Sequence, residues 1–411
     1  MTSLSIPIRG TRTLSPTFAF GLLASIMVML LASSSAPTPL YATYQAQWGF
    51  SAITITLVFG VYAVAVLVSL LVFGALSDHV GRRPVLVTAL AIQAGVMLVF
   101  AFAGGVEVLL LARVLQGLAT GAAVGAIGAG LVDLHPGRGP VANAAGAMTG
   151  SATGSLGSAL LVQLLPSPTR LVYFVLLATF LIQAVGITLI VETSARKPGA
   201  LRSLRPTLAV PARVRGTLAI AAPALVAVWA LAGFYGSLGP SLTALISGSH
   251  STILGGASLF VLAASGALTV LAFHRVDART FSIAGTSLVI VGVATVLIAA
   301  SAHSVVGFFV GTAVAGAGFG GGFQGGLRTI VPLAEPTERA GVISVAYIIC
   351  YLAMGLPAIL AGFLVVHGTV LHTAQEFGGA VIVLAALTLA GMTFSAVRTR
   401  TGRPAACPAI R

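Results

Sequence analysis

Long apolar runs alternate with short polar breaks along the chain. Apolar positions dominate at 18–36, 53–73, 85–104, 107–132, 142–165 and 171–191. They dominate again at 217–237, 251–273, 281–300, 304–331, 341–366 and 377–396. Each run is about the length that crosses the hydrocarbon core of a bilayer, roughly 20 residues as a helix. Between the two sets lies the polar segment "ETSARKPGALRSLRPTLAVPARVRG" (192–216). The pattern predicts an all-α membrane protein of twelve transmembrane helices in two six-helix pseudo-repeats, 18–191 and 217–396, with tails at 1–17 and 397–411.

Two features qualify this plan. Arg9 and Arg12 before the first run, and "ASSSA" (32–36) at its end, also fit a cleavable signal sequence. Cleavage would leave eleven helices, and the even six-plus-six arrangement speaks for twelve. The halves themselves look like distant repeats. "GLATGAAVGAIGAGLVDLHPGRG" (117–139) has a counterpart in "GTAVAGAGFGGGFQGGLRTIVPLAEPTERAG" (311–341), each a Gly/Ala-rich helix ending in a loop with Pro and Arg. Such repeats around a central loop are a common plan for secondary transporters, with the substrate site between the halves.

Composition fits the same class. Charged residues make up 7% of the 411 and hydrophobic residues 57%, whereas a soluble domain carries roughly 25% charged residues. A net charge of +13 raises the question of nucleic acid. The placement of the charge answers it. Arg9, Arg12, Arg82, Arg83, Arg138, the central Arg196–Arg215 group, Arg275, Arg279, Arg339 and the tail arginines all fall on one side, with Arg170 almost alone on the other. By the positive-inside rule both termini and the central loop are cytoplasmic, in a multi-pass protein of the inner or plasma membrane. The same residues can contact anionic lipid, and no nucleic-acid module accompanies them. Cys350 and Cys407 sit in unlike environments and form no metal or disulfide pattern.

The stretch "GALSDHVGRRPVL" (74–86) concentrates charge where the chain is poorest in it. It resembles the signature of the loop between helices 2 and 3 in the major facilitator superfamily, through Gly74, Asp78, Gly81, Arg82 and Arg83. "RVLQG" (113–117) and Asp133 at the end of the fourth span extend the resemblance, which covers nearly the whole chain. It implies a latch. Gly74 lets helix 2 approach a neighbour and Gly81 allows a tight turn. Asp78 faces the start of helix 11, near Gly341, and Arg82 reaches Asp78 or Asp133 when the halves close on the cytoplasmic side. The blander reading, topology and loop shape alone, suits Arg83. The equivalent "FHRVDART" (273–280) lacks the glycines, so a second latch there is degenerate.

Arg113 is the one charge well inside a span, a placement that costs about 2.5–3.5 kcal/mol on insertion scales. Gln116 and Thr120 follow it on one face, and Gln324 occupies the corresponding region of the tenth span. In the family, helices 1, 4, 7 and 10 line the central cavity, which implies that Arg113 and Gln116 face the substrate path. A structural Arg113 bonded to backbone carbonyls is the alternative. Tyr62, Trp229, Tyr235, Tyr347 and Tyr351 are further candidates for the path, since Tyr and Trp stack on ligands while donating a hydrogen bond; the membrane interface suits them equally.

Missing groups narrow the chemistry. No Asp or Glu lies mid-span, so the membrane-embedded carboxylate of many proton-coupled exporters is absent, and His250, His303, His367 and His372 fall near the ends of helices. A proton as coupling ion is a family expectation without a named carrier. Helix 5, "GAMTGSATGSLGS" (146–158), is Gly-rich like the exporter signature but lacks its Gly-Pro step, and close packing against helix 8 is the expected use of its glycines. No HExxH, GxSxG or P-loop appears. The expectation is a monomeric secondary transporter of a small organic solute working by alternating access, an exporter before an importer, with no enzyme activity, cofactor or metal. Uptake of an anionic metabolite through Arg113 and a non-transporting membrane sensor are the alternatives.

Overall fold

The computed structural model describes residues 15–206 and 208–401, and side chains through 394. Arg9, Arg12, Arg403, Arg411 and Cys407 lie outside the described residues. Twelve helices of 18 residues or more form the body. The first six are α1 (Pro16–Ser35), α2 (Ala52–Phe73), α3 (Arg82–Ala101), α4 (Val106–Leu134), α5 (Gly139–Leu164) and α6 (Leu171–Thr188). The second six are α7 (Ala212–Ser237), α8 (Thr252–Phe273), α9 (Ala278–Ser301), α10 (Val305–Ile330), α11 (Arg339–His367) and α12 (Val370–Thr401). Among the described residues eleven helical segments are apolar and long enough to cross a membrane. The exception is α5, whose 26 residues suffice in length but are diluted by Gly, Ser and Thr.

The starts of several helices follow from local chemistry. Ser15 accepts from the Phe18 N–H ahead of Pro16, Ser251 from Leu254 and Ser304 from Gly307, so a hydroxyl satisfies an otherwise orphan amide at each N-terminus. Helix α1 does not simply end. It breaks into a 3-10 turn at Thr38–Leu40 and resumes as Tyr41–Trp48. Helix α7 does the same, stopping at Ser237 and resuming as Gly239–Ser247. Pro37, Pro39 and Pro240 cause the breaks, since proline has no N–H to donate and its ring clashes with the preceding turn.

Packing within the two halves follows one scheme. Helix α4 packs on α1, α2 and α3, and α3 on α6; correspondingly α10 packs on α7, α8 and α9, and α9 on α12. The halves meet along α2 against α11 and α5 against α8. Each half has its own apolar core, and a third small cluster joins Tyr62, Ala63, Val66 and Leu67 of α2 to Tyr351 of α11. The glycines of α5 serve a different neighbour from the one expected. A Cβ on Gly150 or Gly154 would strike the backbone of α1, at Val28 and Ala32. Contact with α8 instead uses Ser155 and Ala159 against Gly256, because the glycine stripe and the hydroxyl stripe occupy different faces of α5.

Candidate functional site

The loops at Gly74–Arg83 and 192–216 mark one end of the bundle, called here the basic end, and the helix breaks in α1 and α7 lie toward the other, the far end. Between the halves runs a cavity of about 170 Å³. Its far-end roof is built from Ser34, Ser35, Thr38, Phe59 and Gly236. Its walls continue toward the basic end to Val124, Asn143, Gln324 and Tyr347.

The proline breaks explain the roof. Pro240 cannot donate to the carbonyl of Gly236, four residues back, and Thr38 Oγ1 from the other half donates to it at 3.0 Å. Ser155 Oγ donates to Gly256 O at 2.9 Å, and Gln163 Oε1 accepts from Ser251 Oγ and from the Ile253 N–H. All of these bonds cross between the halves, and all lie toward the far end. Among the described residues no ion pair or side-chain hydrogen bond joins the halves near the basic end. The polar ties between the halves are therefore confined to the far end.

Of the residues singled out in the sequence, Tyr62, Trp229, Gln324, Tyr347 and Tyr351 line the cavity. Arg113, Gln116, Thr120 and Tyr235 do not, and their placement in the substrate path is corrected. Arg113 is fully buried behind Ser34 and Tyr62. One guanidinium nitrogen donates to Ser34 O at 2.7 Å and to Gln116 Oε1 at 2.8 Å, and the other bonds the Tyr41 hydroxyl. Gln116 Nε2 donates to Ser33 O at 3.0 Å, the carbonyl that Pro37 leaves without its helical partner. Thr120 accepts from Gln93 at 2.7 Å. The polar stripe of α4 thus closes the broken end of α1. That end carries about half an elementary negative charge from its aligned peptides, and it takes the place of the carboxylate that Arg113 lacks. The guanidinium also lies 5.1 Å from the ring centre of Tyr62 and 5.8 Å from that of Tyr41, within cation–π range. Tyr235 is held away from the cavity by a 2.8 Å bond to Thr312 Oγ1.

The signature loop is in a state of its own. Arg82, buried to 8% exposure, bonds Asp78 and lies 3.3 Å from Asp133. Both bridges lie within the first half, so neither by itself ties one half to the other. Gly74 packs against Gly125 of α4. Gly81 adopts φ +101°, a left-handed conformation that favours glycine, and a Cβ there would stand 2.6 Å from Glu192 Oε2. Glu192 was not singled out in the sequence. Its carboxylate accepts the backbone N–H groups of Arg82 at 2.8 Å and Arg83 at 3.0 Å, capping α3 from the central loop. Thr193 reaches Asp133, Ser194 reaches the Asp78 carbonyl, and the Lys197 N–H donates to His79 O at 2.8 Å. The Arg83 guanidinium bonds Thr188 O, while Gly341 packs on Ala209 rather than on the signature loop. The signal for Glu192 was available, since it is the only acid in the basic segment 192–216.

The cavity is mainly apolar, with most of its aromatic rings on the second-half side and most of its small polar groups on the first. Trp229 sits edge-to-face with Phe323 at 5.3 Å and Tyr351 at 4.9 Å, all from the second half. The first half contributes Ser34, Ser35, Ser151 and Asn143. Among the described residues no Asp, Glu, His, Lys or Arg lines the cavity, and no group of three or more metal-ligating side chains occurs anywhere.

Comparison with known proteins agrees with this architecture. A stretch of 127 residues is 33% identical to the inner membrane transport protein YajR of Escherichia coli K12, covering 31% of this chain and 26% of that protein. The chain therefore matches only about a quarter of that relative's length. Crystal structures of the nucleoside transporter NupG and of a point mutant of that transporter superpose with TM-scores of 0.70 and 0.69 at 14% and 13% identity. These superpositions cover 92% of this chain and 99–100% of theirs, and at such identity they show the fold alone. The family model of the Major Facilitator Superfamily matches residues 22–281, more than half of the chain. A two-fold repeat of six helices around a central cavity, with that match, places the chain in the Major Facilitator Superfamily of membrane transporters.

Proposed function

We propose that the protein exports a small, uncharged organic solute by alternating access, loading it from the cytoplasm at the basic end and releasing it at the far end. The observation that carries this reading is the distribution of bonds between the halves. Among the described residues they tie the far end and none ties the basic end, which fits a state open toward the basic end, one of the two that a rocking transporter must visit. The basic end is assigned to the cytoplasm by its arginines.

The alternative of anion uptake through Arg113 loses its footing. Both terminal nitrogens of the guanidinium are bonded at the broken end of α1, its Nε is buried, and its way toward the cavity is covered by Ser34 and Tyr62. An ionised solute would enter a low-dielectric cavity without a partner, at a cost of several kcal/mol.

The test uses cysteines at Gln163 and Ser251, in a background of Cys350→Ala and Cys407→Ala, joined by a short bis-maleimide. Cross-linking is expected to abolish solute flux through reconstituted protein, and the unlinked double variant to retain it. Full flux after complete cross-linking would falsify alternating access at this seam. Accumulation in everted vesicles, and not in right-side-out vesicles, is the outcome expected for export.

A further inference from the structure

Resting on the transport reading, the cavity itself specifies the solute more narrowly. Its second-half wall is a set of rings, Trp229, Phe319, Phe323, Tyr347 and Tyr351, with Phe319 and Phe323 stacked at 6.4 Å. Such a wall favours a flat ring that can lie in an offset or edge-on contact. Across from it the first half sets the hydroxyls of Ser34, Ser35 and Ser151 and the amide of Asn143 among Met27, Leu31, Phe59 and Tyr62.

Two polar atoms at this site are buried and have no partner in the protein. They are the Trp229 indole N–H, a donor only, and Asn143 Oδ1, an acceptor. Buried polar groups are nearly always hydrogen-bonded, and stranding one is unfavourable unless something else completes it. Both belong to side chains that line the cavity, one from each half. Neither atom is exposed in this state, so a solute reaches them only as the Asn143 and Trp229 side chains turn into the cavity; one that satisfies both bridges the halves, which is what a solute must do if its binding is to bias their rocking.

Charge is excluded by the same surface. No ionised side chain among the described residues lines the cavity, and every cation or anion would be stripped of water there without compensation. Arg113, buried behind Ser34 and Tyr62, repels a cation, and none of its N–H groups, the unpartnered Nε included, lines the cavity to bond an anion. We infer that the cavity takes an uncharged, planar aromatic or heteroaromatic solute bearing both a hydrogen-bond acceptor, for Trp229, and a donor, for Asn143.

The chain has two tryptophans, Trp48 and Trp229. Trp48→Phe preserves the stacking of that residue on Tyr44 and leaves Trp229 as the only emitter. Three probes of one ring and three charges are then compared: 4-nitrobenzamide, 4-nitrobenzoate and 4-nitrobenzylammonium, each a contact quencher of indole fluorescence. Saturable quenching by the amide at least about tenfold tighter than by either ion is expected. Trp229→Phe, which keeps the ring wall and removes the N–H, is expected to weaken amide binding by calorimetry about three- to tenfold. Equal or tighter binding of an ion, absence of saturable quenching by the amide, or unchanged amide affinity in Trp229→Phe would each overturn the assignment. Counterflow of the same probes through proteoliposomes separates the two levels of the reading. Movement of an ion but not the amide removes the solute class and leaves the transporter. Tight amide binding without movement of any probe keeps the class and removes transport.

Discussion

Seven residues beyond its first position, α4 carries Arg113; at the same offset α10 carries Thr312. Eleven residues into α3 stands Gln93, and into α9, Val289. The first half therefore has a buried charged network at a level where the second has a single Tyr235–Thr312 bond and tight helix contacts. The difference traces to how each half deals with its broken helix. The break in α1 leaves carbonyls that Arg113 and Gln116 satisfy from inside the same half. The break in α7 leaves Gly236 O, which is satisfied by Thr38 from the other half. One break is sealed for good, and the other depends on the halves being together at the far end. The halves also differ in how they cohere. A Cβ on Gly285 would fall on the backbone of Gly321 and Gly322, and Gly318 and Gly325 meet α9 with equally little room. Backbone contact there takes the place of the polar ties of the first half, as small residues allow in membrane helix packing.

The contrast can be broken most forcibly at its glycine side. Gly285→Val is expected to destabilise the protein by about 3 kcal/mol through overpacking, seen as a large fall in the melting temperature of detergent-purified protein. Arg113→Met comes next. It strands Ser34 O and the Tyr41 hydroxyl, at about 2 kcal/mol, and should lower the melting temperature while sparing the affinity for an uncharged solute. A selective loss of solute affinity at unaltered stability would return Arg113 to the cavity wall. Thr38→Val removes the donor to Gly236 O and should shift the balance toward opening at the far end by about 1 kcal/mol. A cysteine at Gln163 would then label faster with a membrane-impermeant maleimide; an unchanged labelling rate would show that the tie does not gate.

The smallest effect concerns the start of α9, where Asp277 caps its own helix through the N–H groups of Arg279 and Thr280. These bonds, Thr280's first, hold the Asp277 carboxyl below its ordinary value near 3.8. Folded protein thus binds fewer protons at this site than unfolded protein, so the contribution is complete above that value and is lost as pH falls through the lower folded one. Asp277→Asn should lower stability slightly at neutral pH, where that contribution is complete, and leave it nearly unchanged at low pH, so that thermal melts across the acid range show a flatter limb.

Several of these contrasts were legible in the sequence and several were not, for physical reasons. Helices appear in hydropathy because each crosses the bilayer with its own residues, and even α5, too polar for a simple hydropathy criterion, was bracketed by its neighbours. The turn at Gly81 was legible because glycine in a charged loop has a local cause. The place of Arg113 was not, because its partners are Ser34 O at the broken end of α1, Gln116 and the Tyr41 hydroxyl, and a sequence shows the prolines of the break without showing which side chain arrives. Tyr235 and Trp229 are six residues apart, and only packing decides that the first bonds Thr312 while the second faces the cavity. Glu192 lies over a hundred residues from the amides it caps, so its role depended on where the central loop returns.

Arg113 has one more consequence, which concerns voltage. It is a permanent cation fixed in the first half, inside the membrane, and among the described residues no carboxylate pairs with it. A rocking motion that carries it along the membrane normal moves charge through the transmembrane field, at about 2.3 kcal/mol per elementary charge per 100 mV for a full crossing. Even a cycle that carries only uncharged cargo then includes a voltage-dependent step, and transient currents on a supported membrane would register that displacement before any solute is added.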